Sequence, residues 1–441
     1  MKKLLMPHLA RFVSSNTLLE LKRSLYELKR KATQQPYELE VFLHINDPYS
    51  YLLVQVLSDI DKRYNINLRL RTIYQINHEM FPEQEMWDKN AFNDATRLAD
   101  LYSLKMPKKR PNKTNKTTDN TIKQLVEAET STHSHELYCK IFHHYWQQDD
   151  TEHNNSNTEE TINSATCTQS YKAVVKLNEA RLRQLGHYMA AMIYFGGEWY
   201  WGLDRLDHFE KRANRMGLSK ESPPVINYNR TYHNFCNNSV SAPAPEEPPL
   251  PPLTLFFSIR SPYSHIGLER AVKLAKHYDI ELIVKPVLPM MMRGLSVPNA
   301  KKMYIFHDTK REAQKYGIDY GYVADPLGAG VERCYALFEY AESQGKSVEY
   351  LLAYARAVNA QGIRSETDKG LKKILLSCGL DWQTAKPLLN NKSWNAWADQ
   401  NLQEMYSYGL WGVPSLKYKN TTVWGQDRIF VIENEIINDK R

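Results

Sequence analysis

Cysteine is scarce in this chain, and its spacing argues against several kinds of site. The 441 residues contain 5 cysteines, an odd number, and no two of them have C-x-x-C spacing. A disulfide framework, a zinc ribbon and a dithiol redox centre all require paired or closely spaced cysteines. We therefore expect a reducing, cytoplasmic environment, no metal site and no protein dithiol.

Long apolar runs and tracts of alternating basic and aromatic residues are also missing. Without a run of about 18 apolar residues, no membrane span is expected. The net charge of +7 is modest, and no basic block alternates with aromatic residues as single-strand binding would require. We therefore expect neither a membrane nor a nucleic-acid partner.

Acidic residues are absent before Glu20. The N-terminal segment is therefore either a transit peptide or a basic, amphipathic helical extension. Its apolar part is short and interrupted by Pro7 and His8, which favours the helical extension.

The chain contains an internal repeat. Leu39–Ser50 reads LEVFLHINDPYS and Leu253–Ser264 reads LTLFFSIRSPYS, at an offset of 214 positions. Three further pairs of segments follow, the first two at the same offset and the third at an offset of 223: 64–68 with 278–282, 94–104 with 308–318, and 201–206 with 424–429. One offset shared by separated blocks predicts two divergent copies of one domain.

This repeat predicts a layout of four regions, which are a helical extension at residues 1–36, a divergent copy at 37–218, a linker at 219–252 and a second copy at 253–441. The linker contains eight prolines, so we expect it to be extended and semi-rigid. Two polar stretches in the first copy, at 107–121 and 147–165, are predicted to be mobile surface loops.

Secondary-structure signals are clearest in the second copy. Alternating apolar residues predict a strand at Leu253–Ile259, and Ser261 is a good cap for a helix that starts at Pro262 and runs to Tyr278. A strand at 280–284, a largely helical block at 303–389, a hairpin of 414–418 and 421–424, and a last helix follow. This order predicts the α/β class, with two thioredoxin-like domains, each with an inserted all-helical subdomain.

Ser261 stands where a strand ends and a helix begins. Unpaired N–H groups and the helix dipole stabilise a thiolate there. In dithiol oxidoreductases a protein cysteine supplies that thiolate, but here Ser261 and Ser264 occupy both positions. The hydroxyl could instead donate a hydrogen bond to the sulfur of a bound thiol; the alternative is that Ser261 only caps the helix.

Two later segments could complete a ligand site. A cis bond at Val413-Pro414 would expose the Val413 backbone to a peptide-like ligand, whereas a trans proline would simply open an edge strand. Gln426 and Asp427, at the next helix start, could bind the ammonium and carboxylate groups of a ligand. The alternative is that Asp427 is only a helix cap.

In this order and spacing, the segments resemble the 2-hydroxychromene-2-carboxylate isomerases and kappa-class glutathione transferases, within the DsbA-like branch of the thioredoxin superfamily. The resemblance covers residues 253–436 and is carried by Phe257, 261–264, 300–304, Asp308, 409–414 and 424–428. It implies that glutathione is the cofactor. The implied function is a glutathione-dependent isomerase or transferase acting on a small aromatic or unsaturated electrophile.

The resemblance also implies a role for individual residues. Ser261 would face the glutathione sulfur, and Val413 would pair with the glutathione backbone. Gln426 and Asp427 would hold the γ-glutamyl end, and Lys301 matches a lysine close to the site. In the isomerase reaction, the thiolate would add to an unsaturated intermediate, allow bond rotation and leave unchanged.

The chain departs from the family pattern in two places. The loop at 288–300 is shorter than in the family and contains Met290, Met291 and Met292, which puts the form of the acceptor pocket in doubt. In the first copy Asp47 replaces the key serine and Ala191 stands opposite Pro414, so that copy is interpreted as scaffold. Since family members are commonly homodimers, the two copies are expected to pack as an internal pseudo-dimer.

Two other functions stay open. The degenerate first copy and the shortened loop favour a non-catalytic glutathione-binding or interaction protein that keeps the fold. A thiol–disulfide oxidoreductase is disfavoured because serine occupies both cysteine positions.

Overall fold

The computed structural model describes residues 2–75, 83–147, 170–233 and 249–439. The chain forms two compact units. The larger unit comprises Met1–Glu20, Pro82–Asn90 and Thr231–Arg441, and the smaller unit comprises Leu21–Phe81 and Ala91–Arg230. No helix in these described ranges is both long and apolar enough to cross a membrane.

The elements before residue 249 are α1 (Lys2–Val13), α2 (Asn16–Ala32), β1 (Glu38–Leu43), α3 (Pro48–Arg63), β2 (Asn67–Thr72), α4 (Gln84–Tyr102), α5 (Asn115–Ala128), α6 (Ser134–Gln147), α7 (Ser170–Gln184), β3 (Met192–Phe195), β4 (Glu198–Trp201), α8 (Leu206–Arg215) and α9 (Arg230–His233). The later elements are β5 (Leu253–Phe257), α10 (Pro262–Tyr278), β6 (Leu282–Pro286), α11 (Asn299–Lys315), α12 (Ala329–Ala336), α13 (Phe338–Ser343), α14 (Ser347–Ala360), α15 (Asp368–Ser377), α16 (Trp382–Ala385), α17 (Trp394–Ser407), β7 (Ser415–Tyr418), β8 (Thr421–Trp424) and α18 (Ile429–Asp439). Single 3-10 turns at Leu203–Arg205 and Gln426–Arg428 precede α8 and α18.

The smaller unit is built on a four-stranded mixed sheet in the order β2-β1-β3-β4. β1 is parallel to β2 and antiparallel to β3, with Leu39 beside Leu68 on one side and Phe195 on the other. Five of the six β1 residues are buried, as expected for a central strand with both faces covered.

The larger unit contains a second sheet of the same order and strand directions, β6-β5-β7-β8. β5 is parallel to β6 and antiparallel to β7, so that Leu255 pairs with Val284 and Leu416. One continuous apolar core joins this sheet to α10, to α18 and to the helical block α12–α17. The chain is therefore mixed α/β, with two separate sheets and many helices.

Three side-chain hydrogen bonds occupy corresponding places in the two units. In the smaller unit, the Tyr49 hydroxyl donates to Asp94 (2.8 Å), the Tyr64 hydroxyl to Glu210 (3.4 Å), and the His44 N–H to Ser50 Oγ (3.2 Å). In the larger unit, the corresponding bonds run from Tyr263 to Asp308 (2.6 Å), from Tyr278 to Glu433 (2.8 Å), and from the Ser258 N–H to Ser264 Oγ (3.3 Å). Each bond ties the helix after the first strand, or the loop leading to it, to another part of its unit.

The structure confirms the predicted helix at Pro262–Tyr278 and the predicted hairpin, whose first strand begins at Ser415, one residue later than predicted. The second strand begins at Leu282, two residues later than predicted. Asp279 adopts a left-handed conformation at the helix end, with φ of 52°. The Ile280 N–H then returns to Ala275 O, so the chain first turns and only afterwards enters the sheet.

Part of the prediction for residues 107–121 is wrong. α5 begins at Asn115, because Thr114 Oγ1 accepts the Thr117 N–H and caps the helix. Ile122 and Leu125 are buried, so an apolar face holds this helix in place. The other predicted loop, at 147–165, lies almost wholly outside the described residues.

The predictions for the N-terminal extension and for the linker can be compared with the structure in part. The N-terminal extension forms two helices, α1 and α2, with a break at Ser14 and Ser15. Residues 234–248 of the expected linker lie outside the described residues. Its first residues belong to the smaller unit, where Glu221 pairs with Arg63 at 3.0 Å.

Removing the Tyr278 hydroxyl tests the buried tyrosine–glutamate contact. Tyr278 and Glu433 are both fully buried, so Tyr278→Phe leaves a buried carboxylate without one of its donors. The free energy of unfolding should fall by about 1–3 kcal/mol, measured by denaturant titration. Tyr340→Phe, at a half-buried tyrosine of the same unit, should change it by less than about 0.5 kcal/mol. Equal stability of the two variants would contradict this account.

Candidate active site

The site is built at the start of α10. Ser261 has an extended backbone, and its Oγ accepts the Ser264 N–H at 3.2 Å. The Ser261 hydroxyl also lies 3.5 Å from the carbonyl oxygen of Val413. Ser261 is half-buried, whereas Ser264 is fully buried and accepts the N–H of Ser258. Of the two serines, only Ser261 is available to a ligand.

The segment before β7 lies against α10. The Val413–Pro414 peptide bond is cis. A Cβ atom at Gly267 of α10 would lie 2.9 Å from Pro414 Cβ, so only a residue without a side chain permits this approach. The close contact places Val413, which is half-buried, beside Ser261.

Gln426 is fully buried in a hydrogen-bond network. Its side-chain oxygen and its backbone carbonyl both accept from Arg270 Nη1. Its Nε2 donates to Glu312 at 3.1 Å and to the half-buried Asp427 at 2.6 Å. The Gln426 side chain therefore orients Asp427, and its own contact with a ligand stays a prediction.

Arg270 and Glu312 are part of the site that sequence reasoning missed. Both are buried, and the Arg270 guanidinium also lies 3.8 Å from the ring centre of Tyr316. The sequence feature that could have identified Arg270 is its place on the apolar face of α10, between Leu268 and Ala271 in the sequence. A charge on a buried face must find partners inside the protein.

Lys301 lies in the first turn of α11, the helix that also carries Glu312. It is half-buried. Burial lowers the pKa of its ammonium group to about 8, because a charged group loses hydration there. Lys301 can therefore gain or lose its charge close to neutral pH.

Three tryptophans border the same region, and sequence reasoning did not connect them. The ring centres of Trp411 and Trp424 are 4.8 Å apart. Trp87, in the part of α4 that belongs to the larger unit, meets them edge-on at 5.8 and 5.7 Å. All three side chains are partly exposed.

The corresponding place in the smaller unit has different chemistry. Asp47 caps α3 by accepting the Ser50 N–H at 2.9 Å and the Ser50 hydroxyl at 2.7 Å. Burial raises the pKa of Asp47 to about 6. Ala191, opposite Pro414 in the repeat, has a left-handed backbone with φ of 52°. An ionised Asp47 would repel a thiolate.

Most of the larger unit matches a known domain family. Residues 253–437 match the DSBA-like thioredoxin domain family. A 2-hydroxychromene-2-carboxylate isomerase of Pseudomonas putida is 22% identical over 187 residues, which cover 41% of this chain and 91% of that protein. A solved structure of such an isomerase gives a TM-score of 0.38 at 22% identity, covering 43% of this chain and 96% of its own.

A disulfide reductase shows a similar level of likeness. Cytosolic disulfide reductase DsbM from Pseudomonas aeruginosa gives a TM-score of 0.33 at 17% identity, with 44% of this chain and 100% of its own covered. The family match shows that residues 253–437 form a DsbA-like thioredoxin domain.

Gly267→Ala tests the contact that joins α10 to Pro414. The added methyl group would overlap the Pro414 ring, and overpacking costs about 1–3 kcal/mol. Alanine gains roughly 0.5–1 kcal/mol of helix stability over glycine, so a net loss of stability is expected in thermal unfolding. Lys276→Ala, on the exposed side of α10, is the control. A Gly267→Ala protein more stable than wild type would show that the helix and proline separate freely.

Proposed function

Starting from a DsbA-like thioredoxin domain at residues 253–437, we propose that the larger unit is a glutathione-dependent isomerase or transferase that acts on a small aromatic or unsaturated electrophile. The observation that supports this most is the half-exposed Ser261 hydroxyl. It stands at the N-terminus of a 17-residue helix and 3.5 Å from the Val413 carbonyl. A ligand sulfur placed there meets a donor and the positive end of a helix dipole.

The residues present fit a thiol tripeptide with one exception. Ser261, Val413, Asp427 and Lys301 all keep exposed surface, and they offer a hydroxyl, a strand-like backbone, a carboxylate and a cation. These groups suit, in turn, a thiolate, a peptide, an ammonium group and a carboxylate. Gln426 is the exception, because its side chain is buried and already bonded.

Glutathione, when bound, supplies a thiolate nucleophile. Ser261 donates a hydrogen bond to that sulfur, and the helix N-terminus lowers the pKa of the thiol. Arg270 acts indirectly, because it fixes Gln426 and through it the orientation of the Asp427 carboxylate. The protein thus positions the ligand and keeps its sulfur ionised near neutral pH.

We also propose that the two units are divergent copies, with only the larger one active. The two sheets share strand order and directions, and three side-chain hydrogen bonds recur at equivalent places. Asp47 occupies the position of Ser261, which supports a purely structural role for the smaller unit.

A non-catalytic glutathione-binding protein is the second candidate function. Asp47 in the smaller unit and the short loop at 288–300 favour it, because both depart from the pattern of the enzymes that the chain resembles. Binding of glutathione without turnover of any electrophile would support this candidate over the enzyme. Absence of glutathione binding at millimolar concentration in calorimetry would exclude both.

Ser261→Ala should raise the pKa of the bound thiol, read from the ultraviolet absorbance of the thiolate. A hydrogen bond to a charged group contributes about 1.5–3 kcal/mol, so kcat/KM with 1-chloro-2,4-dinitrobenzene should fall roughly 10- to 100-fold. This substitution also removes a helix cap. Ser261→Asp is therefore the matched control, because aspartate caps the helix, as Asp47 does in the smaller unit, yet repels a thiolate. Wild-type turnover in Ser261→Asp would exclude the assigned role.

Lys301 predicts a pH dependence for ligand binding. Its ammonium group is charged below pH 8 and neutral above it, so affinity for a carboxylate-bearing ligand should fall as the pH rises from 7 to 9. S-methylglutathione is the probe, because it has no thiol to ionise. In Lys301→Arg, whose guanidinium stays charged, only the titration of the ligand's own amino group should remain. Identical pH profiles for the two proteins, measured by calorimetry, would exclude Lys301 from binding.

A further inference from the structure

We propose that Trp87, which lies outside the DsbA-like domain, is a specificity-determining residue of the proposed active site. Together with Trp411 and Trp424 it forms a subsite for a planar aromatic group on the electrophile. This inference rests on the proposed function, and it names both the class of substrate group and the residue that selects it.

The first step is the position of two of the tryptophans. Trp411 precedes Gly412-Val413, and Trp424 precedes the turn that holds Gln426 and Asp427. A Cβ atom at Gly412 would lie 2.8 Å from Trp424 Nε1, so the indole lies directly against the Val413 segment. Val413 and Trp424 also pack on one small apolar cluster, formed by Phe256, Val287, Met405 and Leu410. The indoles therefore border the place proposed for the ligand.

The second step is the surface that the three indoles leave open. Trp87, Trp411 and Trp424 all remain partly exposed while in mutual contact, so the cluster presents aromatic surface to solvent. Aromatic rings attract one another in edge-on and offset arrangements. A planar ring is the group best suited to extend this cluster, and apolar, aromatic linings with few polar groups are usual in small-molecule sites.

The third step explains why Trp87 belongs to the site. Glu83, one turn before Trp87, accepts a hydrogen bond from the Tyr406 hydroxyl at 3.0 Å. The same hydroxyl accepts from Arg293 at 2.9 Å. Arg293 is the last residue of the 3-10 turn Met290–Arg293, and Tyr406 lies in α17. These contacts attach the start of α4 to the DsbA-like domain, where Trp87 lies against Trp411 and Trp424.

The test compares two glutathione derivatives that differ only at the sulfur. S-benzylglutathione carries a phenyl ring into the proposed subsite, and S-methylglutathione does not. Wild type should bind the benzyl derivative roughly 3- to 10-fold more tightly, as expected for an aromatic contact. Trp87→Phe should keep most of this preference. Trp87→Leu should lose it while binding S-methylglutathione as wild type does, because leucine fills space without presenting a ring.

Trp199→Phe, at a partly exposed tryptophan of the smaller unit, is the control and should behave as wild type. A Trp87→Leu protein that keeps the full preference for the benzyl group would overturn the proposal. So would an equal loss of affinity for both derivatives in Trp87→Leu and Trp87→Phe, since that result describes a structural residue.

A separate arm does not depend on glutathione. Free 2-naphthoate is titrated against the same variants by quenching of tryptophan fluorescence. If neither glutathione derivative binds wild type, the proposed function fails. Loss of 2-naphthoate affinity in Trp87→Leu but not in Trp199→Phe would still support the aromatic subsite, and unchanged affinity would overturn it.

Discussion

The geometry of the candidate site depends on one buried arginine. Arg270 extends from α10 to the turn that precedes α18, where its guanidinium donates to the backbone and side-chain oxygens of Gln426. The Gln426 side-chain amide in turn donates hydrogen bonds to Glu312 of α11 and to Asp427. A buried guanidinium requires such partners, because its desolvation is otherwise costly. Three elements are thereby fixed around a single group, and the half-buried Asp427 is held in one orientation.

The two units show how the same frame can carry different chemistry. In both, the first strand leads into a helix that begins with a capped turn, a second strand returns parallel to the first, and an antiparallel hairpin closes the sheet. Asp47 and Ser261 are both effective caps, so the choice between them has little effect on the helix. It has a large effect on any sulfur at the helix start, where a hydroxyl donates a hydrogen bond and a carboxylate repels. The capping position is therefore one where the fold accepts either residue, while the proposed thiol chemistry requires the serine.

Local patterns in the sequence were enough to predict the elements that carry the site. The Ser261-Pro262 start of α10 and the hairpin follow from capping and alternation, because each depends on neighbours in the sequence. The predictions that were wrong or displaced have tertiary causes. α5 forms in a polar stretch because its apolar face is covered, and β6 starts late because the chain turns through Asp279 first.

By itself, the sequence determined which residues stand at helix starts and strand ends, and hence that Ser261, Val413 and Asp427 were candidates; the family resemblance added Lys301. Only the tertiary structure decided what each of them can contact. Gln426 is polar and adjacent to Asp427, yet Arg270 and Glu312 bury it, and no local pattern encodes that pairing. Trp87 lies against Trp411 and Trp424 although the three are far apart in the chain. Local rules describe a residue's backbone and its nearest neighbours, whereas burial and long-range contact depend on how the whole unit packs.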